Sequence, residues 1–121
     1  MRVRKIKIGI KDVETTLNEF VKTGEAIERG EKVKKETGIY FTNLEAFRKC
    51  LTPKRLELLH IIKTKRPSSI NELARLAKRD LKNVADDVKY LEKIGLIEKK
   101  VTKRKIAPVI NYDKIALEIA V

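Results

Sequence analysis

The sequence has 121 residues, 42% of them hydrophobic and 38% charged, with a net charge of +12. This length suits one compact core and the composition excludes a disordered chain, while the longest apolar runs, near residues 58–62 and 115–121, fall far short of the ~20 residues that span a bilayer. Lys and Arg outnumber Asp and Glu ten to seven over residues 1–40 and eighteen to eight over residues 41–110, but are outnumbered one to two over residues 111–121, so +10 of the +12 lies in the middle segment. That distribution predicts attraction to a polyanion. With Cys50 and His60 each the only residue of its kind, neither an intramolecular disulfide nor a metal-ligand cluster is expected, and Cys50 reads as a small buried apolar side chain. The opening residues lack the apolar segment and cleavage site of a signal peptide, which predicts a cytoplasmic protein with no membrane partner.

In chain order, residues 4–10 alternate Ile6, Ile8 and Ile10 with Lys5, Lys7 and Gly9, the period of a strand with one buried face. Asp12 offers an N-cap to a helix whose apolar positions Val13, Leu17, Phe20, Val21 and Ile27 recur at helical spacing. Residues 25–36 are a run of mixed charge, read as an exposed tail or linker, and residues 39–42 as a short extended stretch. Asn43 can cap a short helix over residues 44–50 with Leu44, Phe47 and Leu51 inward. Thr52 and Pro53 start another, to about residue 64, presenting Leu56, Leu59 and Ile62, with Leu58 and Ile61 widening a deeply buried stripe. Ser69 and Glu72 form a capping box for a short helix with Ile70, Leu73, Leu76 and Ala77 inward. Asp80 caps a longer helix with Leu81, Val84, Val88 and Leu91 inward, and Gly95 supplies a left-handed stop. Two strand-like runs, residues 96–101 and 106–110, flank a basic hairpin tip over residues 102–105, and residues 115–121 alternate as a final strand.

Helix, short capped helix, tight turn, longer helix and basic hairpin is the order of a winged helix-turn-helix, in which the core holds the outer face of the last helix against a major groove. The expected fold is therefore α+β: an N-terminal strand-helix extension over residues 1–42, a winged helix-turn-helix over 43–110 and a C-terminal strand over 111–121. Ser69-Ile70-Asn71-Glu72-Leu73-Ala74 followed by Leu91-Glu92-Lys93-Ile94-Gly95-Leu96-Ile97 resembles the MarR-like winged-helix regulators. Leu51-Thr52-Pro53-Lys54-Arg55, Arg79-Asp80-Leu81-Lys82-Asn83-Val84 and Pro108-Val109-Ile110-Asn111-Tyr112-Asp113-Lys114-Ile115 resemble, over nearly the whole chain, a family of small archaeal and bacterial proteins assigned to DNA binding. Some of its members are similar to the antitoxin half of toxin-antitoxin pairs. The resemblance implies DNA binding and autoregulation.

The expected partner is double-stranded DNA and the expected role transcriptional regulation. Arg79 and Asn83, at the start of the longer helix and its turn, are expected to read bases, and Lys82 and Lys89 to hold phosphates. Arg and Asn suit bidentate contacts to guanine and adenine edges. The alternative for Asn83 is that it only helps to cap the helix. Lys99, Lys100, Lys103, Arg104 and Lys105 are expected on phosphates or in the minor groove. Ser69 and the amides opening its helix can bind a phosphate, or Ser69 is a cap alone. Tyr90 packs on the hairpin or touches a phosphate, and His60 reads as a packed or surface side chain. Asp86 and Asp87 would repel phosphates, which favours the rival reading of an antitoxin or protein-interaction module binding a partner such as a toxin through its flanking segments. Catalysis is not expected: the sequence has no Ser-His-Asp arrangement, glycine-rich phosphate loop or metal-ligand spacing, and no cofactor is predicted. A homodimer is expected. The terminal strands each have an apolar parity and an edge in need of a partner, within one chain or between two.

Overall fold

The computed structural model describes residues 3–30 and 38–121. These form an α+β fold in the order β1 (Lys5–Ile10), α1 (Val13–Glu28), β2 (Ile39–Phe41), α2 (Leu44–Cys50), α3 (Pro53–Lys65), α4 (Ile70–Ala77), α5 (Leu81–Ile94), β3 (Glu98–Thr102), β4 (Lys105–Val109) and β5 (Lys114–Ile119). No described helix is long and apolar enough to cross a membrane.

The helix starts are local chemistry. Asp12, Asn43, Thr52, Ser69 and Asp80 each hold extended backbone and accept, through a side-chain oxygen, the N–H of the residue three further on. Each thereby satisfies one of the amides that a helix start leaves without an intrahelical partner. Glu72 departs from the expected box: its carboxylate accepts from the Ser68 hydroxyl at 2.8 Å, while Ser69 Oγ accepts the Glu72 amide at 3.1 Å. Gly95 ends α5 at φ +97°, a conformation that costs glycine little. Arg66 and Lys78 end α3 and α4 in the same left-handed region without glycine.

The strands at the two ends of the chain pair with each other inside one molecule. β1 lies between β2 and β5, all three parallel, with Ile8 beside both Ile39 and Leu117. Gly9 is needed here, because a Cβ would sit 2.6 Å from the Tyr40 ring laid across it. β3 and β4 form a separate antiparallel hairpin closed by Lys103 and Arg104, one residue tighter on each side than the expected tip.

One apolar cluster joins these parts: Leu58, Leu59 and Ile62 of α3, Leu73 and Ala74 of α4, Val84, Val88 and Leu91 of α5, then Leu96, Ile97 and Ile8. The covered stripe of α3 centres on Leu58, Leu59 and Ile62. Leu56, expected within it, is 45% exposed, because it lies roughly 120° around the helix from that centre. Leu44, Leu76 and Leu81 are also exposed, each at the edge of its helix's apolar face. The larger departure is α1, which buries no residue. Phe20 is 77% exposed, and Val13, Leu17, Val21 and Ile27 are all exposed too. An ion pair joins Glu19 of α1 to Lys11, just after β1, at 2.8 Å. Of the mixed-charge run over residues 25–36, positions 31–36 lie outside the described residues.

Candidate functional site

α5 separates its two faces cleanly. Val84, Val88 and Leu91 are 0–1% exposed beneath it. Lys82, Asp86, Lys89 and Lys93 are all exposed and, at spacings of four, three and four, share the opposite face, with Asn83 alongside. A three-residue turn, Lys78 to Asp80, sets α5 against α4, with Lys78 at φ +55°. The cap of α5 belongs to Asp80, whose Oδ2 accepts the Asn83 amide at 3.3 Å. The side chain of Asn83 is thus not the cap, and it makes no hydrogen bond with the described residues.

Asp87 turns inward. Its carboxylate receives Arg55 Nε at 3.1 Å and an Arg79 Nη at 2.8 Å, and all three side chains are only 17–20% exposed. Arg55 also donates to the carbonyls of Lys49 and Cys50, closing the end of α2, and its guanidinium lies 4.2 Å from the centre of the Tyr90 ring. This bears on three expectations. Arg79, expected on a base edge, has its guanidinium on Asp87 here, and its other terminal nitrogen is buried without a hydrogen-bond partner. Asp87 does not oppose an anion, since two cations face it. Tyr90 packs its ring under the Arg55 guanidinium. Burial raises the pKa of both the Cys50 thiol and the Tyr90 phenol, and their hydrogen bond raises the phenol further.

In the hairpin, Lys100, Lys103, Arg104 and Lys105 are exposed, with Lys103 at φ +39° at the tip. Lys99 instead pairs with Glu92 of α5 at 3.2 Å, tying the hairpin to that helix. At its base, Asn111 Nδ2 donates to Glu98 at 2.6 Å, and the Tyr112 hydroxyl donates to the Leu96 carbonyl at 2.7 Å. Burial pushes the Tyr112 phenol up to about 12. Lys100 lines a groove of about 470 Å³ with Lys63, Arg66 and Ser68. Ser69 is placed as the cap of α4, and His60 is on the surface of α3.

The structure therefore brings Lys82, Asn83 and Lys89 together on one exposed helical face, and Lys100, Lys103, Arg104 and Lys105 onto one exposed hairpin. It pairs Arg79 with Asp87 and Lys99 with Glu92, the Lys99 side chain remaining 48% exposed. Sequence reasoning missed Arg55 and Asp87 as a clamp, and it missed Arg75 and Lys78, which border a cleft of about 540 Å³ between α4 and the start of α5. The signal for the second pair was their place beside the turn; the clamp joins residues 32 positions apart and had no local signal. The whole surface can donate hydrogen bonds and positive charge to a ligand rich in acceptors.

Comparison with curated proteins and with solved structures finds no match. A family model described as HVO_A0114 matches residues 50–117, which takes in α3, α4, α5, the hairpin and most of β5. That match covers more than half of the chain, and the chain belongs to the HVO_A0114 family.

Proposed function

We propose that residues 43–110 act as a winged helix-turn-helix that binds double-stranded DNA sequence-specifically and serves transcriptional regulation. In this reading α5 enters the major groove and the β3–β4 hairpin is the wing. The observation that carries it is the outer face of α5: Lys82, Asn83 and Lys89 are exposed there, while Asp87, the acid that would have opposed phosphates, is turned inward between two arginines. An α-helix with its side chains fits a major groove, where Asn83 can pair with an adenine edge and Asp86 can accept from a cytosine amino group. Lys82 and Lys89 then lie at the phosphates, with Lys103, Arg104 and Lys105 on the flanking backbone or minor groove. Arg79 acts as a positioning residue for α5.

Selection of bound duplexes from a random pool, followed by titration of the selected site, tests this. Affinity should fall log-linearly with salt, and reversing Lys103, Arg104 and Lys105 to Glu should weaken binding to every duplex by roughly a hundredfold. Asn83→Ala should instead relax the preference at one base pair. Retention of no duplex, or binding indifferent to salt, would remove the proposal.

One observation favours a second reading, an antitoxin-like or other protein-binding role. α1 exposes an apolar stripe, and residues 12–29 carry Asp12, Glu14, Glu19, Glu25 and Glu28 against Lys22 and Arg29, a net −3 in a chain of +12. Such a face suits a basic protein partner with an apolar groove.

A further inference from the structure

The outer edge of the terminal sheet is unused by the nucleic-acid reading. β5 lies at that edge, and no described strand pairs with its outer side. The amides of Lys114 and Ala120 donate inward, to the carbonyls of Arg4 and Ile10. Strand alternation therefore turns the amides and carbonyls of Ile115, Leu117 and Ile119 outward. Edge strands that must stay single are normally short, or broken by proline or a bulge. β2, at the other edge, has three residues. β5 runs for six in unbroken register with β1, has no proline, and leaves Leu117 and Ile119 41% and 51% exposed.

We infer that β5 pairs antiparallel with β5 of a second copy of this chain. The strand is self-complementary about Ala116. With Ala116 opposite Ala116 of the partner subunit, Lys114 faces Glu118 of the partner subunit on one side of the sheet, and Ile115 faces Leu117 of the partner subunit on the other. In that register Ile115 and Leu117, whose backbone groups point outward, occupy the hydrogen-bonded pairs. Lys114 and Glu118 occupy the closer non-hydrogen-bonded pairs, where opposite charges attract across strands. A slip of two residues sets Glu118 opposite alanine and loses both charge pairs. Glu118 is available for the contact, since its side chain is 65% exposed even while paired with Lys7 at 3.1 Å, and Lys114 is exposed. The two-fold axis runs perpendicular to the sheet, so both copies of α3, α4 and α5 stand on one face of a six-stranded sheet.

This assignment goes beyond the nucleic-acid reading and is tested without nucleic acid. Sedimentation equilibrium of the full chain at about 10 µM should give twice the 13.9 kDa chain mass. Glu118→Lys should weaken self-association roughly tenfold, and adding Lys114→Glu should restore it, because the pair is then reversed intact. Leu117→Pro should give a single-chain mass with unchanged helical circular dichroism, since the lost amide points away from β1. A wild-type mass of one chain, or a dimer dissociation constant that Glu118→Lys leaves unchanged, overturns the inference.

Discussion

α1 and α5 look alike as patterns and differ completely as packed objects. Each begins at an aspartate cap, and each repeats apolar residues at spacings of three and four. α5 buries Val84, Val88 and Leu91 almost entirely, whereas every large apolar residue of α1 named above is at least 56% exposed. The difference lies in what stands opposite. α5 faces α4 and α3 across a short turn and is clamped through Asp87 to Arg55. α1 leaves and rejoins the sheet between parallel strands, and its Glu19 pairs with Lys11. An apolar stripe thus states that a helix has a face to cover, and the neighbours state whether it is covered.

The contrast can be broken by mutation. Leu91→Ala should have the largest effect, a loss of about 3 kcal/mol in denaturant unfolding, since it opens a cavity beneath α5; a loss under about 1 kcal/mol would mean that the core beneath α5 is loose. Asp87→Ala should cost about 2 kcal/mol by leaving two partly buried guanidiniums without their carboxylate. An unchanged midpoint would show that solvent compensates the clamp. Tyr112→Phe should cost about 1 kcal/mol for the lost bond to Leu96. The same phenol gives a pH test. Its pKa is raised from 10.0 to about 12, so the stability it contributes is complete below pH 10.0 and is lost as pH rises towards 12. Ultraviolet titration should show this phenol ionising late in wild type, with the late step absent in Tyr112→Phe. Phe20→Ser on α1 should change stability least, by no more than about 0.5 kcal/mol. A loss comparable to that of Leu91→Ala would show that α1 is covered in solution and would end the contrast.

Much of the candidate site was legible because its determinants are short-range. The α5 cap at Asp80, its stop at Gly95 and the basic hairpin each depend on residues within a turn or two, and Lys82, Asn83 and Lys89 followed from helical phase. The pairing of Arg79 was not legible, for the opposite reason. Its position beside the turn predicts an outward side chain, but Asp87, two turns on, draws it in with help from Arg55. Lys99 likewise reads as part of a basic run until Glu92 is seen beside it. A charged side chain goes where its counter-charge is, and pairing between elements has no periodicity to read.

By itself, then, the amino-acid order determined where the helices begin, where α5 stops, and which residues of each element are apolar. A cap or a left-handed stop is satisfied within three or four residues and needs nothing from elsewhere. Tertiary structure alone decided that β1 and β5 pair within one molecule, with the Arg4 amide donating to Asp113 at 2.9 Å across 109 positions of sequence. It alone decided too that α1 stays bare and that Asp87 faces inward. Burial and ion pairing depend on what is brought opposite a face, and that is set by the packing of the whole chain.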